Sequence, residues 1–256
     1  MNVLLWLAAI LFILMIVIGG KKGVRSFIAL FLNFGVLLIT TILMTSSLMN
    51  PITLTMIACT IISCINLFYI NEVNSKTITA FISTLITIFI LFVLIGLVTD
   101  KAMIQGFREE EMEELGIFSL YIGVDFVKIG IAMIIMSTIG AMTDVAIAIT
   151  SPMQEIFNHH PSISRKELFT SGMNIGRDIL GSNTNTLFFA FIGGYMALLL
   201  LFKDLAYSAG EVINSKVFSE EILTILCAGI GIALIIPIAS WINAYFLVRM
   251  REKVAK

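Results

Sequence analysis

The sequence has few charged residues, which make up 13% of its 256 residues, and it contains only two histidines. Hydrophobic residues make up 59%, and the mean hydropathy is +1.03. A chain with so little charge cannot cover the surface of a water-soluble globule. The composition therefore predicts a polytopic membrane protein.

The motifs of several enzyme classes are also missing. There is no His-Glu-x-x-His helix for zinc-dependent hydrolysis, and the adjacent histidines His159 and His160 lie in a loop rather than an apolar segment. Cys59, Cys64 and Cys227 lie within apolar runs without Cys-x-x-Cys spacing, which is typical of small apolar packing residues. An intramembrane enzyme is the least favoured class, and we expect neither a metal nor a cofactor.

Seven apolar segments approach or exceed the ~20 residues that a helix needs to cross a bilayer. They are expected at about 2–19, 27–49, 51–70, 77–99, 118–151, 184–202 and 220–248. Pro152 is expected to end the fifth segment, and Pro237 to kink the seventh. The basic residues directly after the first segment, with none before it, are the reverse of a cleavable signal peptide, so this segment is expected to remain.

The basic residues agree with one orientation of these segments. If the N-terminus lies outside, 11 of the 16 basic residues fall on the inner side, as the positive-inside rule requires. The prediction is an all-α membrane bundle of about seven transmembrane helices with a cytoplasmic C-terminus. It forms a single domain, 1–256, with a four-helix part at 1–99, an outer acidic connection at 100–118 and a three-helix part at 119–256.

Charged residues flank the start of the fifth segment. The acidic run at 108–114 is expected to form a solvated or interfacial helix face. The alternative, a calcium site, is disfavoured because the run lacks the turn glycines and ligand spacing of a calcium loop. Asp125 and Lys128 are three residues apart, which on a helix predicts an interfacial ion pair.

One carboxylate, that of Asp144, lies inside the fifth apolar segment. A lone aspartate in a membrane span costs a few kcal/mol even on the lenient insertion scale. Small residues share its helical face: Gly123, Gly130, Ser137 and Ser151 lie at intervals of seven from it, and Gly140, Ala141 and Ala148 lie beside them. Such a face lets another helix approach and keeps the carboxylate away from lipid. The alternative is a buried carboxylic acid kept neutral by hydrogen bonds.

A second polar series follows Asp144 in the chain. Its members are spaced along one face of a helix: Asn174, Arg177, Asp178, Gly181 and Asn185. Ser164 and Glu167 form a capping box that starts this helix. We expect a cytoplasmic amphipathic helix that bends into the sixth segment and places Arg177 and the amides of Asn183 and Asn185 beside Asp144. The alternatives are surface charges and simple interhelical contacts.

These two segments resemble the signature of the YibE/F-like membrane proteins. The resemblance rests on three runs: Gly140-Ala-Met-Thr-Asp-Val-Ala-Ile-Ala-Ile, Ser164-Arg-Lys-Glu-Leu-Phe-Thr-Ser-Gly-Met-Asn-Ile-Gly-Arg-Asp-Ile-Leu-Gly and Thr184-Asn-Thr-Leu. It implies a multi-pass protein of the bacterial plasma membrane, of the shorter YibF type, often paired with a YibE-type companion. It also marks the family's polar positions in this chain: Asp144, Asn174, Arg177, Asp178, Asn183 and Asn185.

The same arrangement is similar, more weakly, to the SecF half of the SecD/SecF translocation aids and to resistance-nodulation-division permeases. In that group an intramembrane aspartate takes part in proton coupling. The expected function is therefore a proton-coupled transporter or permease subunit with Asp144 as the coupling residue. The alternative is a non-catalytic subunit that binds a YibE-type protein or a second copy of itself in the bilayer; no nucleic-acid partner is expected.

Overall fold

The structure is a computed structural model that describes residues 2–46, 49–102 and 126–254. All regular elements of these residues are helical, as predicted. The helices are α1 Asn2–Met44, α2 Pro51–Cys64, a π-helical turn Ile65–Tyr69, α3 Ser75–Ala102, α4 Phe126–His159, α5 Arg165–Gly194, α6 Met196–Asp204, α7 Ala209–Asn214 and α8 Lys216–Val254.

Helix α1 folds back on itself at Gly20. This glycine has φ 53° and ψ −134°, a backbone conformation that residues with a side chain rarely adopt. The rings of Phe12 and Phe27 lie 4.7 Å apart between centroids, whereas a straight helix would separate these positions by roughly 22 Å. Gly23 lies directly against the backbone carbonyl of Met15, where a Cβ would have no room. The first two predicted segments are thus the two limbs of one hairpin.

Several helices have the length and composition of membrane spans. Within the described ranges there are five of them, α1 to α4 and α8, where the π-helical turn extends α2. Helices α5 and α6 meet at Tyr195 with a bend of 51° and together could make a sixth. This count takes α1 as one helix, whereas the sequence-based layout treats its two limbs as separate spans.

Pro152 does not end α4, contrary to the prediction. The helix continues through this proline to His159. Met153, the next residue, is fully buried in the hydrophobic core. Proline removes one backbone hydrogen bond, but the packing of the following turn holds the chain in the helical path. Asp125 precedes α4 and lies outside the described residues, so the expected pair with Lys128 stays a prediction.

The segment that follows differs from the expectation in where it bends. Helix α5 is unbroken from Arg165 to Gly194, so the bend falls at Tyr195 rather than before Thr184. The capping box at its start is confirmed: the Ser164 backbone N–H donates to Glu167 Oε2 over 3.0 Å, and the Glu167 N–H donates to Ser164 Oγ over 3.2 Å. The connection between α6 and α8 contains the short helix α7.

Two hydrophobic clusters hold the bundle together, and α3, α4 and α8 contribute to both. Helix α5 joins the first cluster through Leu168, and α2 joins the second through Cys59 and Ile62. Close approach of α5 to α8 depends on glycine, because a Cβ at Gly172 would lie 2.7 Å from Ser240 Oγ. Helices α4 and α5, which carry the predicted polar residues, are therefore both anchored on α8.

Candidate functional site

Asp144 lies within α4 on a face whose residues are exposed or half-buried in the described chain. Its side chain is exposed, as are those of Ser137 and Ala148 on the same face. Gly140 and Ala141 lie between them, and a Cβ at Gly140 would have no neighbouring atom within 4 Å. We call these five residues the Asp144 face. Of the other residues predicted for this face, Gly130 and Ser151 are half-buried, and Gly123 lies outside the described residues.

The carboxylate of Asp144 lacks a partner within the part of the chain that the structure describes. It makes no hydrogen bond or ion pair with any described residue. The expected partner, Arg177, instead donates from Nη1 to Asn174 Oδ1 on its own helix over 3.3 Å. The contact between Asp144 and Arg177 that the sequence suggested is therefore not formed in this structure.

The polar series on α5 lies on the helix surface. Asn174, Arg177, Asp178 and Asn185 are exposed. Asn183 is half-buried, and its Nδ2 donates to the carbonyl oxygen of Ile179 over 2.9 Å, one turn earlier in the same helix. The series thus forms an exposed stripe with local hydrogen bonds, and its assignment as a polar core stays a prediction.

The sequence analysis missed a buried polar contact between three helices. Asn243 of α8 is fully buried. Its Oδ1 accepts from Thr79 Oγ1 of α3 over 3.0 Å, and its Nδ2 donates to the carbonyl oxygen of Thr150 of α4 over 3.2 Å. We call these three residues the Asn243 contact. A lone asparagine in an apolar helix is the signal that could have found it, because such a residue needs a hydrogen-bond partner inside the bundle.

A second asparagine contact joins the hairpin to the rest of the bundle. Asn33 Nδ2 of α1 donates to Asn66 Oδ1 over 2.7 Å. Asn66 lies in the π-helical turn, and its own carbonyl oxygen accepts from Asn71 Nδ2 over 3.0 Å. The Asn71 side chain thus supplies a hydrogen-bond donor for a backbone carbonyl of the π-helical turn, close to the end of the helix.

Basic residues gather at one end of the bundle. Arg25 Nη1 and Glu72 Oε1 form an ion pair of 2.7 Å between the hairpin and the connection before α3. Lys76 Nζ donates to Ser151 Oγ over 3.1 Å, and Arg165 pairs with Glu252 over 2.8 Å. These contacts link segments that the sequence analysis predicts to lie on the same side of the membrane.

The described residues hold no group of three or more histidine, cysteine, aspartate or glutamate side chains that could bind a metal ion. His159 and His160 are exposed at the end of α4. Cys59 and Cys227 are buried and Cys64 is half-buried, and all three are free thiols.

Long apolar helices packed around buried polar contacts define a multi-pass α-helical membrane protein. The family model of the YibE/F-like proteins matches residues 7–249. The chain therefore belongs to the YibE/F-like family. Comparison with curated proteins and with solved structures gave no match. The weaker similarity to SecF and the resistance-nodulation-division permeases receives no support from these comparisons.

Proposed function

We propose that this chain is one subunit of a proton-coupled permease of the bacterial plasma membrane, with Asp144 as the coupling residue. One observation carries the proposal: a membrane-length helix exposes a carboxylate on a face of small residues, and no described residue of the chain hydrogen-bonds or pairs with it. A carboxylate at this depth needs water, a hydrogen-bond donor or a proton.

A second membrane subunit on the Asp144 face would enclose the carboxylate. Small residues such as Gly140 and Ala148 let the backbone of another helix come close, which is how helices associate in lipid. At this interface between subunits Asp144 would gain and lose a proton. Its contacts with Arg177 or Asn185 of the assembly would change with its charge. The transport path would then run between subunits.

The proposal includes a seven-pass topology with the N-terminus outside. The two limbs of α1 supply two crossings, α2, α3, α4 and α8 supply four, and α5 with α6 supplies the seventh. Arg25, Lys76 and Arg165 lie at one end of the bundle together with the basic end of α8, which supports a cytoplasmic location for that end.

The open face also favours a second candidate function. In this alternative the chain is a non-catalytic subunit, and the Asp144 face only attaches it to a YibE-type companion or to a second copy. The carboxylate would then form a fixed hydrogen bond across the interface, and its proton would not exchange during a transport cycle.

The two candidates differ in what Asp144→Asn does. The assembly, purified from its own membrane, is reconstituted into vesicles containing a pH-sensitive dye and exposed to a panel of small solutes. We expect Asp144→Asn to abolish solute-dependent proton movement and to leave the assembly intact by native mass spectrometry. Glu155→Gln, an exposed carboxylate further along the same helix, is the matched control and should behave as wild type. Proton movement at the wild-type rate in Asp144→Asn would rule out coupling through this residue.

Cross-linking tests the face itself. In a chain with its three cysteines replaced, Ala148→Cys should form a cross-link to a second membrane subunit. Leu226→Cys, at an exposed position of α8, should not. A disulfide between two chains would identify a homodimer, and a cross-link to another protein would identify a companion. Absence of any cross-link at position 148 would contradict the proposed interface.

A further inference from the structure

An exposed cluster of aromatic and basic residues lies where the end of α8 meets the start of α5. The rings of Trp241 and Tyr245 stack with 6.1 Å between centroids and 21° between planes. The guanidinium groups of Arg165 and Arg249 lie over the Tyr245 ring, 5.1 Å and 5.6 Å from its centroid. Arg249 Nη1 also donates to the Tyr245 hydroxyl over 3.2 Å. We call these four residues the aromatic-basic cluster.

The cluster runs along one face of α8 in a definite order. Trp241, Tyr245 and Arg249 are four residues apart, so they follow one another along the helix surface. Trp241 is 64% exposed at the apolar end of the series, and Arg249 is exposed at the basic end of the helix. An indole followed by a phenol and then a guanidinium matches the passage from acyl chains to headgroups at a membrane surface.

The two arginines have different electrostatic environments. Arg165 Nη2 donates to both carboxylate oxygens of Glu252, over 3.0 Å and 2.8 Å, so its charge is compensated. Arg249 has no carboxylate partner among the described residues, and its hydrogen bond goes to a neutral hydroxyl. The Tyr245 ring, which both guanidinium groups contact, orients Arg249 and leaves its positive charge available.

We propose that the aromatic-basic cluster binds the headgroup of one anionic phospholipid. The phosphate binds the guanidinium of Arg249, and the glycerol and upper acyl chain lie against the exposed indole of Trp241. A phosphodiester with attached acyl chains fits both ends of the cluster, whereas free phosphate contacts only the arginine. This site lies on α8 and α5, apart from the Asp144 face, and does not depend on the proposed transport function.

Trp241 offers a direct test, because the sequence contains only two tryptophans. In a Trp6→Phe chain, its fluorescence reports on the cluster alone. The full chain is placed in phosphatidylcholine nanodiscs that contain a small, fixed fraction of brominated lipid, either phosphatidylglycerol or phosphatidylcholine. Brominated phosphatidylglycerol should quench Trp241 more strongly, because it is enriched at the site. Equal quenching by the two lipids would overturn the proposal.

Variants identify the residue responsible. Arg249→Gln should lower the apparent affinity for phosphatidylglycerol about fivefold, the effect of one basic residue at a membrane surface. Lys253→Gln removes an exposed charge near the end of the same helix and should keep the preference. Arg249→Lys keeps the charge but loses the planar donor group, and it should retain part of the preference. A preference that survives unchanged in folded Arg249→Gln, or is lost equally in Lys253→Gln, would contradict a specific site.

Inorganic phosphate distinguishes recognition of the whole lipid from recognition of its phosphate group alone. Added at millimolar concentration, phosphate should leave the quenching by brominated phosphatidylglycerol unchanged, because it makes no contact with the indole. Competition by phosphate at that concentration would show that the site recognises the anion without the acyl chains, and the lipid assignment would be wrong.

Discussion

Two polar side chains inside the long helices of this protein, those of Asn243 and Asp144, differ in burial and in hydrogen bonding. Asn243 is fully buried, and α3 and α4 of the same chain satisfy its amide. Asp144 lies on α4 with its carboxylate exposed and without a partner in the described chain. The described helices therefore satisfy the neutral amide, whereas they leave the ionisable group without a hydrogen-bond or ion-pair partner. Asn243 is a structural residue, and Asp144 is the better functional candidate.

The glycines of the two regions repeat this contrast. At Gly172 of α5 an added Cβ would meet Met153 Sδ at 2.6 Å and Ser240 Oγ at 2.7 Å, so glycine is required by the chain's own packing. At Gly140, beside Asp144, an added Cβ would meet nothing within 4 Å. A small residue with empty space beside it is consistent with a neighbour from another chain.

The largest predicted effect comes from filling the packed position. Gly172→Leu should destabilise the isolated chain by about 1–3 kcal/mol, because α5 must move away from α8. Gly140→Leu makes the same chemical change and should leave the stability of the isolated chain almost unchanged while reducing subunit association. Unfolding in mixed detergent micelles, followed by circular dichroism, measures the first effect, and native mass spectrometry measures the second. Equal stability of the two variants would break the distinction between the two faces.

The Asn243 contact should give a smaller loss. Asn243→Ala removes two hydrogen bonds between helices, each worth about 0.6 kcal/mol in membrane proteins, so a loss of about 1 kcal/mol is expected in the same unfolding assay. Asn185→Ala, at an exposed position of α5, is the control and should change stability little. A variant at position 243 as stable as wild type would show that the amide is not needed to join the three helices.

Sequence patterns identified the helices better than they identified the pairing of their faces. Apolar length predicted the helical class, and the Ser164 capping box fixed the start of α5, because both depend on local residues. The fold-back at Gly20 is fixed by contacts such as Phe12 with Phe27, and the continuation through Pro152 by the burial of Met153. These are tertiary effects that periodicity does not contain.

The same limit applies to the candidate site. Helical spacing placed Asp144 beside small residues such as Gly140 and Ala148, but spacing alone does not tell whether that face meets another helix of the same chain. The expected contact with Arg177 assumed that it does. Asn243 was missed because its partners, Thr79 and the carbonyl of Thr150, lie far away in the sequence and come together only when α3, α4 and α8 pack.

Glu211 shows that an exposed carboxylate can still have hydrogen-bond partners, and its substitution should give the smallest effect of the three. Glu211 in α7 is exposed like Asp144, but its Oε2 accepts from the backbone N–H and the hydroxyl of Ser208, each over 2.7 Å. These hydrogen bonds hold the pKa of Glu211 below its ordinary value of 4.5. The carboxylate therefore stabilises the start of α7 above that pH, and this contribution is lost as the pH falls through the lowered pKa.

Hydrogen exchange at the Val212 amide, corrected for the intrinsic pH dependence of exchange, should show less protection at acid pH. Glu211→Gln should remove this pH dependence, and Glu155→Gln should not. If protection were the same on both sides of the titration, the cap would not control the start of α7. The hydrogen bonds to Ser208 would then not be a meaningful difference between Glu211 and Asp144.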